Sequence, residues 1–281
     1  MMEETLENGK QQSGRGIHDF MLSVLIWREK HISERSFVIV LALIVGILCG
    51  FAALTLKWLI HTISTALSSH IAINGGNYLY LLFPAIGIVL TMLYVRFVVK
   101  HNISHGVTRV LYSISQNKSR LKPYNMYTSL LASSVTIGFG GSVGAEGPIV
   151  YTGAAIGSNL GQLFRLSPRI LMILVGCGAA AGIAGIFKAP IAGMLFTLEV
   201  LMIDLTTVSV MPLLIASISG ATVAYVFTGF DVEFLFMQSE SFATTRIPYV
   251  ICLGIFCGLV SLYFTRVMNM MENFFKHKLI L

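Results

Sequence analysis

The sequence predicts an all-α polytopic membrane protein in which several helices are interrupted by glycine-rich breaks. Of its 281 residues, 55% are hydrophobic and 11% are charged, about half of the charged fraction of a soluble domain. Segment 36–145 contains no aspartate or glutamate. Long uncharged helical runs of this kind are typical of bilayer spans, because about 20 apolar residues cross the hydrocarbon core.

The first part of the chain contains two long apolar segments. Phe37–Leu56 carries no charge and is predicted to continue to about Ile63 as a tilted helix. Tyr78–Tyr94 is the second predicted span. Before them, segment 1–35 is polar at its start and then mixes apolar and charged residues over Ile17–Ile32, which predicts an amphipathic helix on the membrane surface.

A basic loop follows the second span. Basic residues are enriched on the cytoplasmic side of membrane proteins, so we expect this loop and segment 1–35 to be cytoplasmic. The net charge of +6 suits contact with anionic lipid head groups. Nucleic-acid binding is disfavoured, because no basic amphipathic stretch or aromatic–basic platform is present. The basic residues are Arg96, Lys100, Arg109, Lys118, Arg120 and Lys122.

The later segments are shorter and are separated by glycines. Five glycines lie in 138–147 and four in 176–185. Small residues permit close helix packing in lipid, and short interrupted helices are typical of transporters whose half-helices meet at a central site. The predicted helices are Met126–Ile137, Ile149–Phe164, Ile170–Phe187 and Ile191–Ile203, followed by the full-length spans Val208–Phe227 and Ile247–Val267.

The four cysteines lie in apolar segments and lack metal-ligand spacing with histidines. We therefore expect them to be small buried hydrophobic residues, and we predict neither a metal site nor a cofactor. They are Cys49, Cys177, Cys252 and Cys257.

Glu146 ends the acid-free stretch and lies between glycines, just before Pro148. We expect Pro148 at or near the first position of a helix, where its missing N–H costs nothing. The N-terminus of that helix would attract an anion, and Glu146 would compete for the same place. The alternative is a glycine-packed helix crossing in which Glu146 forms an interfacial salt bridge.

Four motifs in this region resemble the CLC family of chloride channels and proton-coupled exchangers. Their order and spacing make the resemblance specific, and it extends from about Phe37 to the C-terminus. The motifs are Gly141-Ser-Val-Gly-Ala-Glu-Gly-Pro148, Gly153-Ala-Ala-Ile-Gly157, Gly178-Ala-Ala-Ala-Gly182, and Phe187-Lys-Ala-Pro-Ile-Ala-Gly193 with Leu195, Phe196 and Glu199.

The resemblance implies a CLC-like broken-helix bundle over 36–281, with one inverted-repeat half plus the first helix of the next. We expect this membrane domain to be incomplete, because the family's second anion-coordinating loop and pore tyrosine have no counterpart before Leu281. The resemblance also implies a homodimer, with Ile191–Ile203 and Val208–Phe227 contributing to its interface.

For the site, the resemblance implies that Glu146 is the gating glutamate. The backbone at Gly144, Ala145 and Gly147 would form the outer anion site. Ala145 departs from the family pattern, which usually has arginine or lysine there, so one local positive charge is absent.

The family's second anion motif is also altered here. His105 stands at its central serine position, whereas Gly106 and Val107 fit the pattern and Thr108 replaces a proline. His105 and Gly106 are therefore further predicted anion-binding residues. An imidazole donates a hydrogen bond as a hydroxyl does, but it also titrates. The alternative for His105 is a solvated loop histidine.

Glu199 and Val200 are predicted to line the inner pathway. Proton-coupled members often carry two adjacent glutamates here, whereas this chain has Val200 in the second place. The change favours a channel-like protein but leaves H⁺/Cl⁻ exchange open. Alternatively, Glu199 braces its helix through Lys188, since an intramembrane carboxylate needs a partner.

We therefore expect a multi-pass protein of the cell membrane that transports chloride, with lipid as its surroundings and proton coupling undecided. No constellation of catalytic residues predicts an enzyme. The alternative function is a non-transporting half-subunit that assembles with or regulates another membrane chain. A nucleotide-binding enzyme is disfavoured, because no Walker motif accompanies the glycines.

Overall fold

The computed structural model describes residues 33–69, 82–99, 106–202, 206–229 and 243–279, and within these ranges the regular elements are helices. The chain divides into two compact units, 1–233 and 234–281. The predicted surface helix at 17–32 and His105 lie outside the described residues.

Unit one contains full-length apolar helices and several shorter helices. α1, α6 and α8 are long and apolar enough to cross a membrane, whereas α2 and α7 are shorter apolar helices. A π-helical turn, Val95–Val99, extends α2. The helices are α1 Glu34–Ser69, α2 Phe83–Tyr94, α3 Gly106–Gln116, α4 Asn125–Gly138, α5 Glu146–Leu163, α6 Pro168–Phe187, α7 Pro190–Val200 and α8 Thr207–Thr228.

Helix α6 lies at the centre of unit one and packs against α1, α5, α7 and α8. Its crossing with α5 depends on two glycines. A Cβ added to Gly178 would overlap the carbonyl oxygen of Gly153, and a Cβ added to Gly153 would overlap that of Gly178. The backbones therefore touch directly, as small residues permit in lipid.

The N-terminal end of α1 and the C-terminal end of α5 lie on the same side of unit one. The rings of Phe37 and Phe164 meet edge to face with centroids 5.3 Å apart. Arg35 shares an apolar groove with Ile170 and Val208, near the first turns of α6 and α8. The first turn of α1 is thus on the same side of unit one as the C-terminal end of α5.

Ser158 joins the basic loop to α5 on that same side. Its hydroxyl accepts a hydrogen bond from the Leu121 N–H at 2.8 Å and donates one to the Ser119 carbonyl at 2.7 Å. Gln162, one turn further along α5, donates to the Ser158 hydroxyl and to the Leu121 carbonyl. Ser158 is fully buried, so the loop is held by internal hydrogen bonds.

Ser158→Ala is expected to lower the free energy of unfolding by about 1–3 kcal/mol, because it leaves buried backbone groups of Ser119 and Leu121 unpaired. Thermal unfolding of the detergent-solubilised protein measures the effect. The matched control is Ser115→Ala, an exposed serine that donates to the carbonyl of Tyr112. Equal melting temperatures for the two variants would contradict this account of the loop.

Unit two contains a short 3-10 turn, Thr244–Arg246, and α9, Ile247–Leu279. The predicted span Ile247–Val267 is confirmed as helix, and Thr244–Phe274 is apolar enough to cross a membrane. The prediction of four buried cysteines is partly wrong. Cys49 and Cys177 are buried, whereas Cys252 and Cys257 are exposed on α9, where exposed apolar side chains suit a helix surrounded by lipid.

Candidate anion site

Helix α5 begins at Glu146, two residues earlier than Pro148 predicts. The proline fits as the third helical residue because the first N–H groups of a helix have no intrahelical acceptor. The hydrogen bond from the Ile149 N–H to the Ala145 carbonyl, at 3.2 Å, is an i to i−4 bond at the start of the helix. No side chain caps this end, so its positive pole is available to an anion.

The N-terminus of α3 meets the N-terminus of α5 at two glycines. A Cβ added to Gly106 would overlap the carbonyl oxygen of Gly147 and would lie 3.4 Å from the Cβ of Tyr151. The first turns of the two helices therefore lie side by side. The positive ends of the two helix dipoles therefore lie close together, and both attract an anion.

A cleft of about 460 Å³ opens beside this pair of helix ends. Its wall includes three of the predicted residues, Gly106, Gly144 and Gly147, and also Thr108. The structure thus brings Gly106 together with Gly144 and Gly147, which lie 38 and 41 positions later in the sequence. His105, which precedes Gly106, lies outside the described residues.

A further part of the cleft wall, which the sequence did not predict, carries hydroxyl groups from α2 and α4. The Thr91 and Thr136 hydroxyls lie 2.9 Å apart, and the Ser133 hydroxyl donates to the Ser129 carbonyl at 2.8 Å. Ser129 and Ser133 are spaced by four residues in an apolar segment, and this spacing was the available signal. The wall comprises Thr91, Ser129, Ser133 and Thr136.

The Glu146 side chain is exposed. It does not line the cleft, but it lies beside Gly144, which does. A Cβ added to Gly144 would overlap one of its carboxylate oxygens, so the carboxylate turns back over Gly144. Ala145 takes helical angles, φ −78° and ψ −13°, and is half-buried against the apolar core. The site thus has a carboxylate beside Gly144 and no cationic side chain at position 145.

The suggested brace between Lys188 and Glu199 is wrong. The Lys188 ammonium donates to the carbonyls of Thr228 and Gly229, at 3.4 and 2.9 Å, at the end of α8. Glu199 is exposed near the other end of α7. Glu199 lies nine positions after Pro190 in α7, about 14 Å along the helix axis at 1.5 Å per residue.

Lys188 instead closes the turn between α6 and α7. It adopts the left-handed conformation, with φ +54°, and its carbonyl accepts a hydrogen bond from the Tyr225 hydroxyl at 2.7 Å. Val200, the residue expected on the inner pathway, is half-buried at the end of α7 beside Glu199. Within the described ranges, no cluster of three histidine, cysteine or acidic residues is placed to hold a metal ion.

Short helices that end at a shared cleft inside an apolar bundle are typical of broken-helix membrane transport proteins. The chain belongs to the voltage-gated chloride channel family, the CLC family, because the family model matches residues 86–281. It is therefore an integral membrane protein with the CLC fold.

Known relatives and a solved structure agree with this assignment. The chloride channel protein CLC-e of Arabidopsis thaliana is 31% identical over 57% of this chain. The H(+)/Cl(−) exchange transporter ClcA of Vibrio cholerae is 24% identical over 85% of it. The crystal structure of a slow cyanobacterial Cl⁻/H⁺ antiporter superposes over 88% of the chain, with a TM-score of 0.74 and 21% identity.

The chain spans only part of the length of these proteins. It covers 23% of the Arabidopsis protein, 53% of the Vibrio protein and 59% of the cyanobacterial chain.

Proposed function

We propose that this protein transports chloride across the membrane, with Glu146 as its gating glutamate. The observation that supports the proposal most is the meeting of the α3 and α5 N-termini at Gly106 and Gly147. An anion beside these glycines would accept hydrogen bonds from backbone N–H groups where the positive ends of two helix dipoles meet. The names of the relatives, a chloride channel and an H(+)/Cl(−) exchange transporter, support chloride as the ion.

The Glu146 carboxylate acts in this proposal as a tethered competitor of chloride. A helix N-terminus stabilises a negative group by about 0.3–2 kcal/mol, so the carboxylate and the free anion compete for the same position. Protonation removes the charge of the carboxylate, and a side-chain rotation moves it away. Either change opens the site to chloride.

The resemblance to proton-coupled members of the family implies that Val200 stands at their inner proton-transfer position, so we propose channel-like transport that is not coupled to protons. Valine neither donates nor accepts a proton. The residue type of Val200 and its position at the end of α7 support this proposal.

Chloride efflux from liposomes tests the proposal, with a pH electrode recording proton movement from the same vesicles. We expect chloride efflux above that of protein-free vesicles and no proportional proton flux. Well-folded protein that gives no efflux, as wild type and as Glu146→Ala, would contradict chloride transport. Proton movement against its gradient in fixed proportion to chloride would contradict the channel-like mechanism alone.

We also propose a homodimer whose interface includes α7 and α8, with the basic loop and the N-terminus in the cytoplasm. Exposed apolar side chains on both helices support the interface, among them Ile191, Leu195 and Ile218. Light scattering of the protein in detergent is expected to give twice the chain mass of 30.7 kDa, after subtraction of the detergent. A monomer mass at all concentrations would contradict the dimer.

A further inference from the structure

A second polar pocket lies between α3, the basic loop and α5, and the proposed chloride site does not use it. Its volume is about 440 Å³. Three cationic side chains line it, Arg109 from α3 and Arg120 and Lys122 from the loop, and its lining includes no aspartate or glutamate. A pocket of this charge attracts anions, and a multiply charged anion most strongly.

The polar walls of this pocket are held in place by the fold. Ser158 and Gln162 fix the loop backbone at Ser119 and Leu121, as described above. The Lys122 ammonium lies 5.9 Å from the centre of the Tyr124 ring. Ser113 and Asn125, which also line the pocket, are 3% and 5% exposed. The residues that line the pocket are thus held in place by buried hydrogen bonds and by packing.

The hydroxyl of Tyr151 gives an independent indication of a ligand. Tyr151 lines the pocket from α5 and is 1% exposed, yet its hydroxyl has no hydrogen-bond partner among the described residues. A buried hydroxyl without a partner costs about 1–3 kcal/mol. Arg109 lines the same pocket as Tyr151, so one ligand would meet both side chains.

We propose that this pocket binds a phosphate group, held by Arg109, Arg120 and Lys122 and by a hydrogen bond from the Tyr151 hydroxyl. Arginine forks match phosphate oxygens in bidentate pairs, and several donors around one space suit a group with three or four acceptor oxygens. The phosphate belongs either to the head group of a lipid in the adjacent leaflet or to a water-soluble phosphate compound.

The site is separate from the chloride cleft, although the two are neighbours. Tyr151 lies one turn beyond Gly147 on α5, and its Cβ is close to Gly106. The cleft has glycine backbone and hydroxyl groups in its wall, whereas the phosphate pocket has three cations. The proposal therefore does not depend on chloride transport.

Calorimetric titration of the full chain in a non-ionic detergent tests the proposal. One arm uses inorganic phosphate, and the other uses dihexanoyl phosphatidic acid, whose head group is a phosphate monoester. Dihexanoyl phosphatidylcholine, whose phosphate is a diester capped by choline, serves as the control lipid. We expect Arg109→Gln to weaken binding about tenfold or more and Tyr151→Phe about fivefold. Tyr151→Phe keeps the buried ring, so it tests the hydroxyl even if Arg109→Gln does not fold.

The matched control is Arg169→Gln, which removes one positive charge from an exposed arginine outside the pocket. It is expected to leave the affinity unchanged. Tighter binding of the phosphatidic acid identifies a lipid head group as the ligand, and equal or tighter binding of inorganic phosphate identifies a soluble one. Failure of both probes to bind, or equal affinity in wild type, Tyr151→Phe and Arg169→Gln, would overturn the proposal.

Discussion

Glu146→Ala is expected to raise chloride efflux from liposomes at neutral pH and to make it independent of pH. The carboxylate competes with chloride for the helix ends at Gly106 and Gly147, so its removal leaves the site permanently accessible. If the carboxylate occupies the site in about nine of ten molecules, the expected increase is about tenfold. Wild-type efflux should rise toward that of the variant as the pH falls, because protonation neutralises the competitor.

The matched control is Glu34→Ala, which removes an exposed carboxylate from the first turn of α1. Its efflux and pH dependence are expected to equal those of the wild type. Thermal unfolding of each protein confirms that the variants are folded. A folded Glu146→Ala protein with unchanged efflux and an unchanged pH profile would show that this carboxylate is not the gate.

Gly178→Ala is expected to destabilise the protein strongly, because a single added methyl group would overlap the backbone of α5 at Gly153. Neither helix can yield locally, since both are packed along their length against other buried elements. Overpacking of this kind costs about 1–3 kcal/mol, which lowers the Tm of a protein of this size by several degrees. Thermal unfolding in detergent measures the effect, and the amount of folded protein recovered from membranes is a second readout.

Gly258→Ala makes the same chemical change on α9, where an added Cβ has no atom within 4 Å. Alanine has the higher helix propensity, by about 1 kcal/mol. The Tm of this control should therefore be equal to or slightly above that of the wild type. If the two variants unfold at the same temperature, the close α5–α6 crossing is not required for stability.

The positions of most helices followed from local sequence patterns. The prediction of a loop from Arg96 to Lys122 was wrong over Gly106–Gln116, which forms α3. The uncharged run after Phe37 predicted α1, and the glycines at 138–147 predicted the break before α5. Pro148 predicted the start of that helix to within two residues. These features depend on neighbours in the sequence, because apolar runs, glycine and proline act on the backbone where they stand.

The sequence alone did not predict features that depend on distant segments. The hydroxyl wall joins Thr91 of α2 to Thr136 of α4, and the Lys188 ammonium is held by carbonyls 40 and 41 residues away. A lysine followed eleven positions later by a glutamate suggested an ion pair, but a straight helix separates the two. Tyr151 likewise gave no signal, since a tyrosine in an apolar segment is usually a core residue.

In the proposed mechanism, one anion binds where the first turns of α3 and α5 meet, and Glu146 competes for that place. The most direct measurement is anomalous X-ray diffraction from crystals of Glu146→Gln and of the wild type grown in bromide. We expect a bromide peak beside Gly106 and Gly147 in the variant, and a weaker peak there in the wild type. Ordered crystals of both proteins with no bromide at these helix ends would contradict the claim.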